Sequence, residues 1–194
     1  MFFDILRPMK TIMTFLSCLS FSLLAQTEPF FTESGQAFSF KDQEDIAFDP
    51  TVLAAENSAL PHGHSRNDYH ISEDDCLLFD FGATVNGYHS DITRTFFVGS
   101  ASDEYKNIYA AVLKANQIGK KISKPKLTLH DLDDQVLNSL CDSGYEDLIV
   151  HKTGHGLGMD VHEDPYVMRN NQEVLEAGMV ITIEPGLYKQ GSLG

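Results

Sequence analysis

Apolar residues fall into runs of two kinds along this chain. Cys76–Phe81 is apolar except for Asp80, and Ser90–Val98 is a second such run, so both read as strands. Thr51–Ala55, Leu148–His151 and Val180–Ile183 are shorter runs of the same kind and are also read as strands. The other kind has helical spacing. From Asp103 to Lys121, Tyr105, Ile108, Tyr109, Val112 and Ile118 make one apolar face, Ser102 can cap the start, and Lys120 and Lys121 suit the C-terminal end of the dipole. From Leu129 to Asp142, Leu132, Val136, Leu137 and Leu140 repeat in the same way, with Thr128 as the cap and Gly144 as the stop. Residues 27–50 are mixed and predict no firm element, and Pro61–Asp68 is a loop by composition. Strands, then helices, then strands predict an α+β fold, and 194 residues suffice for one domain with a real core.

The two ends differ from the middle. Arg7 and Lys10 precede an apolar, serine-containing stretch, Thr11–Ala25, which resembles a secretory signal and is too short to span a bilayer comfortably. Residues 1–26 are therefore set apart, as a signal-like or non-homologous extension. At the other end, Gln190–Gly194 follows directly on an apolar strand-like run with no closing element, so the sequence reads as cut short.

Charge narrows the function classes. Lys and Arg number 14, Asp and Glu 28, and the formal charge of −14 argues against nucleic acid and anionic membranes as partners and favours divalent cations. The three cysteines, Cys18, Cys76 and Cys141, are widely spaced with no CxxC, which excludes a zinc knuckle, a disulfide scaffold and a thioredoxin-type site.

The strongest local signal is a hairpin. Asn86–Gly87 is a favoured two-residue turn, because both positions tolerate positive φ. It sets Val85 opposite Tyr88 and Asp91 opposite Gly82, so Asp80 and Asp91 project from one face as diagonal neighbours. Gly82 is expected to leave the space between them open. Two carboxylates on a buried face need a cation between them, and two solvated aspartates on an exposed hairpin are the alternative.

Histidines form two groups, His62, His64 and His70, then His151, His155 and His162. The glycines in Thr153-Gly-His-Gly-Leu-Gly158 disfavour a helix, so His151 and His155 are not a helical zinc pair. His162-Glu163 is not an HExxH site, since position 166 is Tyr. A lone histidine is more often structural than a ligand. Glu184 ends an apolar strand before Pro185 and reads equally as a salt-bridge partner or a ligand.

Taken together, these stretches resemble the metallopeptidase family of Xaa-Pro aminopeptidases and prolidases, relatives of methionine aminopeptidase and creatinase. The matching segments are Asn57–Gly63, Asp80–Phe96, Gly154–Gly158 with Val161–Glu163, and Ile183–Tyr188, in family order. Eleven positions separate Asp80 from Asp91, and seven separate His155 from His162. The resemblance implies a pita-bread catalytic domain over residues 39–194, incomplete at the C-terminus. It implies two divalent ions, with manganese suited to a carboxylate-rich site. Asp80 would bind one, Asp91 would bridge both, and His155 and Glu184 would bind the other. Glu184 would also relay a proton, and His62 and His162 would hold the substrate and stabilise the tetrahedral intermediate. The fifth ligand of the family, a second bridging glutamate, would fall beyond Gly194, so the set here would hold two ions, one or none. The implied activity is removal of an N-terminal residue from a peptide with proline in second position. The alternatives are a catalytically impaired or purely binding protein of the same fold, and methionine aminopeptidase activity. A homodimer is a further implied partner. The family implies a cytoplasmic location, and a true signal would make the protein secreted or periplasmic.

Overall fold

The computed structural model describes residues 30–31, 37–38, 45–66 and 68–194. The signal-like stretch and Cys18 lie outside the described residues. Phe30–Phe31 (β1) pairs with Ala37–Phe38 (β2), and Asp45–Ile46 is β3, so short strands occur where the sequence predicted no element. Thr51–Ala54 (β4), Cys76–Phe81 (β5) and Ile92–Phe97 (β8) form an antiparallel sheet in the order β4-β5-β8. Ala83–Val85 (β6) and Tyr88–His89 (β7) flank the Asn86–Gly87 turn and form a second sheet with β3. Asn86 and Gly87 have φ of 53° and 78°, as this turn requires. The register it sets persists along the whole hairpin: Val85 faces Tyr88, Asp80 faces Thr93 and Cys76 faces Phe97.

Two helices follow. Asp103–Ile122 (α1) begins at Ser102, whose hydroxyl accepts the Tyr105 amide. Leu129–Cys141 (α2) begins at Thr128, whose hydroxyl accepts the Asp131 amide at 3.0 Å. Both caps satisfy amides that lack partners within the helix. Thr128→Ala should cost about 1 kcal/mol of stability, measured by urea denaturation. A midpoint equal to wild type would remove the cap from the account.

The buried face of α1 differs from the expected one. Ile108, Ala111, Ala115 and Gly119 are buried, while Tyr109 is 39% exposed. Small residues occupy this face because neighbours press close. A Cβ on Gly119 would lie 2.7 Å from the Ile183 side chain and 2.9 Å from Val136. On α2, Leu129, Leu132, Val136, Leu137 and Leu140 are buried as its periodicity implies. They join Ile108, Ala111 and Ala115 of α1 with Val167, Leu175, Leu187 and Leu193 in the larger core. A smaller core under the first sheet holds Leu77, Phe79 and Val98. No helix among the described residues is long and apolar enough to cross a membrane.

Two expected strands differ. Leu148–His151 is not a strand: a 3-10 turn covers Glu146–Leu148, and pairing starts at Gly154–Gly156 (β9), which joins Glu163–Val167 (β10). The Gly154–Gly156 backbone can approach its neighbours more closely than apolar side chains at 148–151 would permit. Val180–Ile183 runs antiparallel beside β9 without forming a regular ladder. Thr182 N–H donates to His155 C=O and Glu184 N–H to Thr153 C=O, both at 2.8 Å. The reciprocal His155 amide goes instead to the Thr182 hydroxyl, at 3.0 Å. A threonine side chain thus replaces a carbonyl in the ladder.

Candidate metal and peptidase site

Four chain segments deliver the chemistry. β5 carries Asp80, and the bend before β8 carries Asp91. β9 carries His155, and the segment beside it ends in Glu184. The hydrogen bonds between β9 and residues 180–184 bring the last two together. His155 Nε2 lies 3.0 Å from Glu184 Oε1 and 3.6 Å from Asp91 Oδ2. The Thr182 hydroxyl donates to the same Glu184 oxygen at 2.7 Å. Asp80 accepts from the Thr93 hydroxyl opposite it at 3.1 Å and stands within hydrogen-bonding reach of Asp91. The His162 ring lies against the His155 ring, with centroids 4.2 Å apart.

Gly82 does not leave a gap between the aspartates. A Cβ there would lie 1.9 Å from the Ser90 carbonyl oxygen and 2.9 Å from the Phe48 ring. Its role is to let the two arms of the hairpin close where the chain passes from one sheet to the next.

His62 stands on the loop after the 3-10 turn Ala55–Ala59, held by the Asn57 side-chain amide on the His64 carbonyl at 2.9 Å. It lines a shallow cleft with Leu60, Pro61, Val150 and His151. His151 belongs to the second histidine group of the sequence, where its spacing alone implies no role. Its Nε2 meets the Tyr188 hydroxyl at 3.0 Å and it stands close enough to influence Glu184, so it links the cleft to the carboxylates. Tyr188 and Thr182 were not singled out at all. The signal for Thr182 was its place two residues before Glu184, on the same side of an extended segment.

The electrostatics are those of a crowded acidic site. Burial, with Asp80 and Glu184 beside it, pushes the Asp91 carboxyl up to about 7. Burial also raises Asp80, with Glu184 adding to it, against the Thr93 hydrogen bond. Burial acts to raise Glu184 too, but hydrogen bonds from His155 and Thr182 hold it below its ordinary value. Burial lowers His155, and this is more than offset by Glu184, the Gly156 carbonyl and Asp91, so its pKa is raised. Burial and the neighbouring His155 keep His162 low. Burial, then Glu184 and Asp80, push the Tyr188 hydroxyl up to about 12.

The donor set fits a cation. His155 Nδ1 is 2.9 Å from the Gly156 carbonyl, which only accepts, so Nδ1 carries the hydrogen. In the neutral ring, the Nε2 lone pair then faces two carboxylate oxygens. That arrangement requires either a proton or a metal ion. Ligand atoms about 2.1 Å from a small octahedral ion sit about 3 Å from one another, close to the separations here. Among the described residues no three His, Cys, Asp or Glu side chains are arranged as a group that could hold a metal ion, and His155 and Glu184 contact each other directly.

The sign of the pH response follows. Unfolded Asp91 ionises near its ordinary 3.8, whereas the folded group holds its proton to about 7. The folded chain binds more protons in that window, so stability present below about pH 4 is lost as pH rises through about 7. The raised Asp80 and His155 act in the same direction. Glu184 acts oppositely, its contribution being lost only as pH falls below its ordinary 4.5. With a chelator present, the urea midpoint should fall from about pH 5 to about pH 7.5. A flat or rising midpoint would contradict this electrostatic picture.

Comparison with known proteins supplies an independent observation. Residues 24–194 match the model of metallopeptidase family M24. An Xaa-Pro dipeptidase of Pyrococcus furiosus is 41% identical over 145 residues, covering 75% of this chain and 41% of that protein. The crystal structure of a prolidase from Thermococcus sibiricus superposes with a TM-score of 0.75 at 39% identity, over 78% of this chain and 41% of that one. An Xaa-Pro dipeptidase from Bacillus anthracis gives 0.76 at 39%, over 79% and 43%. The chain thus spans about two fifths of the length of these relatives.

Proposed function

The chain belongs to metallopeptidase family M24, and from that premise we propose that it hydrolyses the bond between an N-terminal residue and proline. Its α+β architecture is that of the pita-bread catalytic domain of its prolidase relatives. In this reading Asp80, Asp91, His155 and Glu184 would hold two divalent ions, manganese by preference. When bound, such ions supply Lewis acidity that lowers the pKa of water and polarises the peptide carbonyl.

The chain's own groups do the remainder. Against the effect of burial, hydrogen bonds from His155 and Thr182 hold the Glu184 carboxyl below its ordinary value, and in this reading it takes up a proton and passes it on. Its Oε1 is oriented by the Thr182 hydroxyl. His162, exposed and beside His155, and His62, which lines the cleft, would bind the substrate and donate toward charge developing on its carbonyl oxygen. The apolar side chains of Leu60, Pro61 and Val150 suit a proline ring.

The observation that carries the reading is the meeting of His155 with Asp91 and Glu184 at 3.6 and 3.0 Å. The test is an assay of the purified chain on Xaa-Pro dipeptides and on Met-Ala peptides, after chelation and after Mn2+ loading. Mn2+-dependent cleavage of the Xaa-Pro substrates is expected. Preference for Met-Ala would assign methionine aminopeptidase activity instead, and metal binding without turnover of either would leave a binding protein of this fold.

A further inference from the structure

We propose that Asp133, inside α2, is a positioning residue that sets His155 and Glu184 through the Thr153 peptide, an inference that rests on the metallopeptidase reading above. Asp133 is 1% exposed and is the one fully buried carboxyl group among the described residues. Its neighbours on the helix, Leu132, Val136 and Leu137, are core residues. A carboxyl group among them costs free energy unless a hydrogen bond compensates. The bond it makes leads directly to the site: Asp133 Oδ1 accepts the Thr153 amide at 2.8 Å.

That amide belongs to a residue with two further ties. The Thr153 carbonyl accepts the Glu184 amide at 2.8 Å, and two residues on comes His155. Thr153 is held by its backbone, since its own buried hydroxyl has no hydrogen-bond partner. On the other side, Asn116 of α1 donates its side-chain amide to the Ile183 carbonyl at 2.6 Å. Each helix therefore grips one strand of the pair that carries His155 and Glu184. The spacing between His155 Nε2 and Glu184 Oε1 depends on the register of that pair, and Asp133 fixes its first rung. Groups hydrogen-bonded directly to metal ligands typically contribute tenfold to hundredfold in metal affinity, and Asp133 acts one peptide further out, on the backbone that carries His155 and pairs with Glu184.

A purely structural role would move stability and leave the affinity of the folded protein alone. The test is calorimetric titration of Mn2+ into folded wild type, Asp133→Leu, Asp133→Ala and Asp133→Asn, with Leu132→Ala as a core control on the same helix. Asp133→Leu and Asp133→Ala should weaken Mn2+ binding at least tenfold, while Asp133→Asn, which keeps an acceptor oxygen, stays within about threefold. Leu132→Ala should lower the melting temperature without changing the affinity. If Asp133→Leu does not fold, Asp133→Ala decides, since water can enter the space it leaves. Wild-type affinity in the folded variants that lack the acceptor, or a loss in Asp133→Asn equal to theirs, overturns the inference alone. A wild-type chain that binds no Mn2+ overturns the metallopeptidase reading and this inference with it.

Discussion

Asp91→Ala is expected to remove tight Mn2+ binding, by at least about a hundredfold, or roughly 2.7 kcal/mol. Burial first, then Asp80 and Glu184 beside it, push the Asp91 carboxyl up to about 7, and its side chain is mostly shielded from water next to His155. In the proposed site it would be one of four ligands, and the substitution leaves His155 Nε2 facing Glu184 alone. The same substitution should have the opposite effect on the metal-free chain. Removing one of three crowded carboxyl groups relieves repulsion and burial cost, so the apoprotein should melt higher than wild type. A variant that binds Mn2+ like wild type, or whose apoprotein is less stable, contradicts the assignment. A solvated aspartate on an exposed hairpin would produce neither change.

Gly154→Ala is expected to destabilise the fold by about 3 kcal/mol or more, the upper part of the range for overpacking. A Cβ at this position would lie 2.1 Å from the Thr182 carbonyl oxygen and 2.8 Å from the carbonyl carbon. Both are backbone atoms held by the bonds Thr182 N–H to His155 C=O and Glu184 N–H to Thr153 C=O. The clash cannot be relieved by a rotamer change, only by parting the two segments. Metal affinity should therefore fall with stability. Gly144→Ala is the contrast: its φ is +84°, nothing lies within 4 Å, and the cost should be about 1 kcal/mol with the site intact. Urea denaturation with both variants checks the difference, and equal costs would refute the close-approach explanation.

Local rules carried the hairpin and the helices because their causes are local. Asn86–Gly87 selects one turn, and that turn fixes every pair from Val85–Tyr88 to Cys76–Phe97. Ser102 and Thr128 mark helix starts because a hydroxyl there has an orphan amide to accept. The misreadings have tertiary causes. Tyr109 looked like a core residue by spacing, but α1 packs so closely on Ile183 and Val136 that alanine and glycine take its inner face. Leu148–His151 looked like a strand by composition, whereas Gly154–Gly156 makes the pairing because its partners come too near for side chains. Asp80, Asp91, His155 and Glu184 were conspicuous as chemistry in apolar or glycine-rich settings. Tyr188 and Asp133 were not, since each acts through a partner distant in sequence, Tyr188 through His151 and Asp133 through Thr153, while Thr182 combines a local bond to Glu184 with a distant one from the His155 amide.

The most direct test is anomalous diffraction at the manganese edge from crystals of this chain grown with Mn2+. The account predicts anomalous density enclosed by Asp91, Glu184 and the Nε2 of His155, with Asp80 adjoining. Density elsewhere, or none at saturating Mn2+ with these four side chains directed apart, would contradict it.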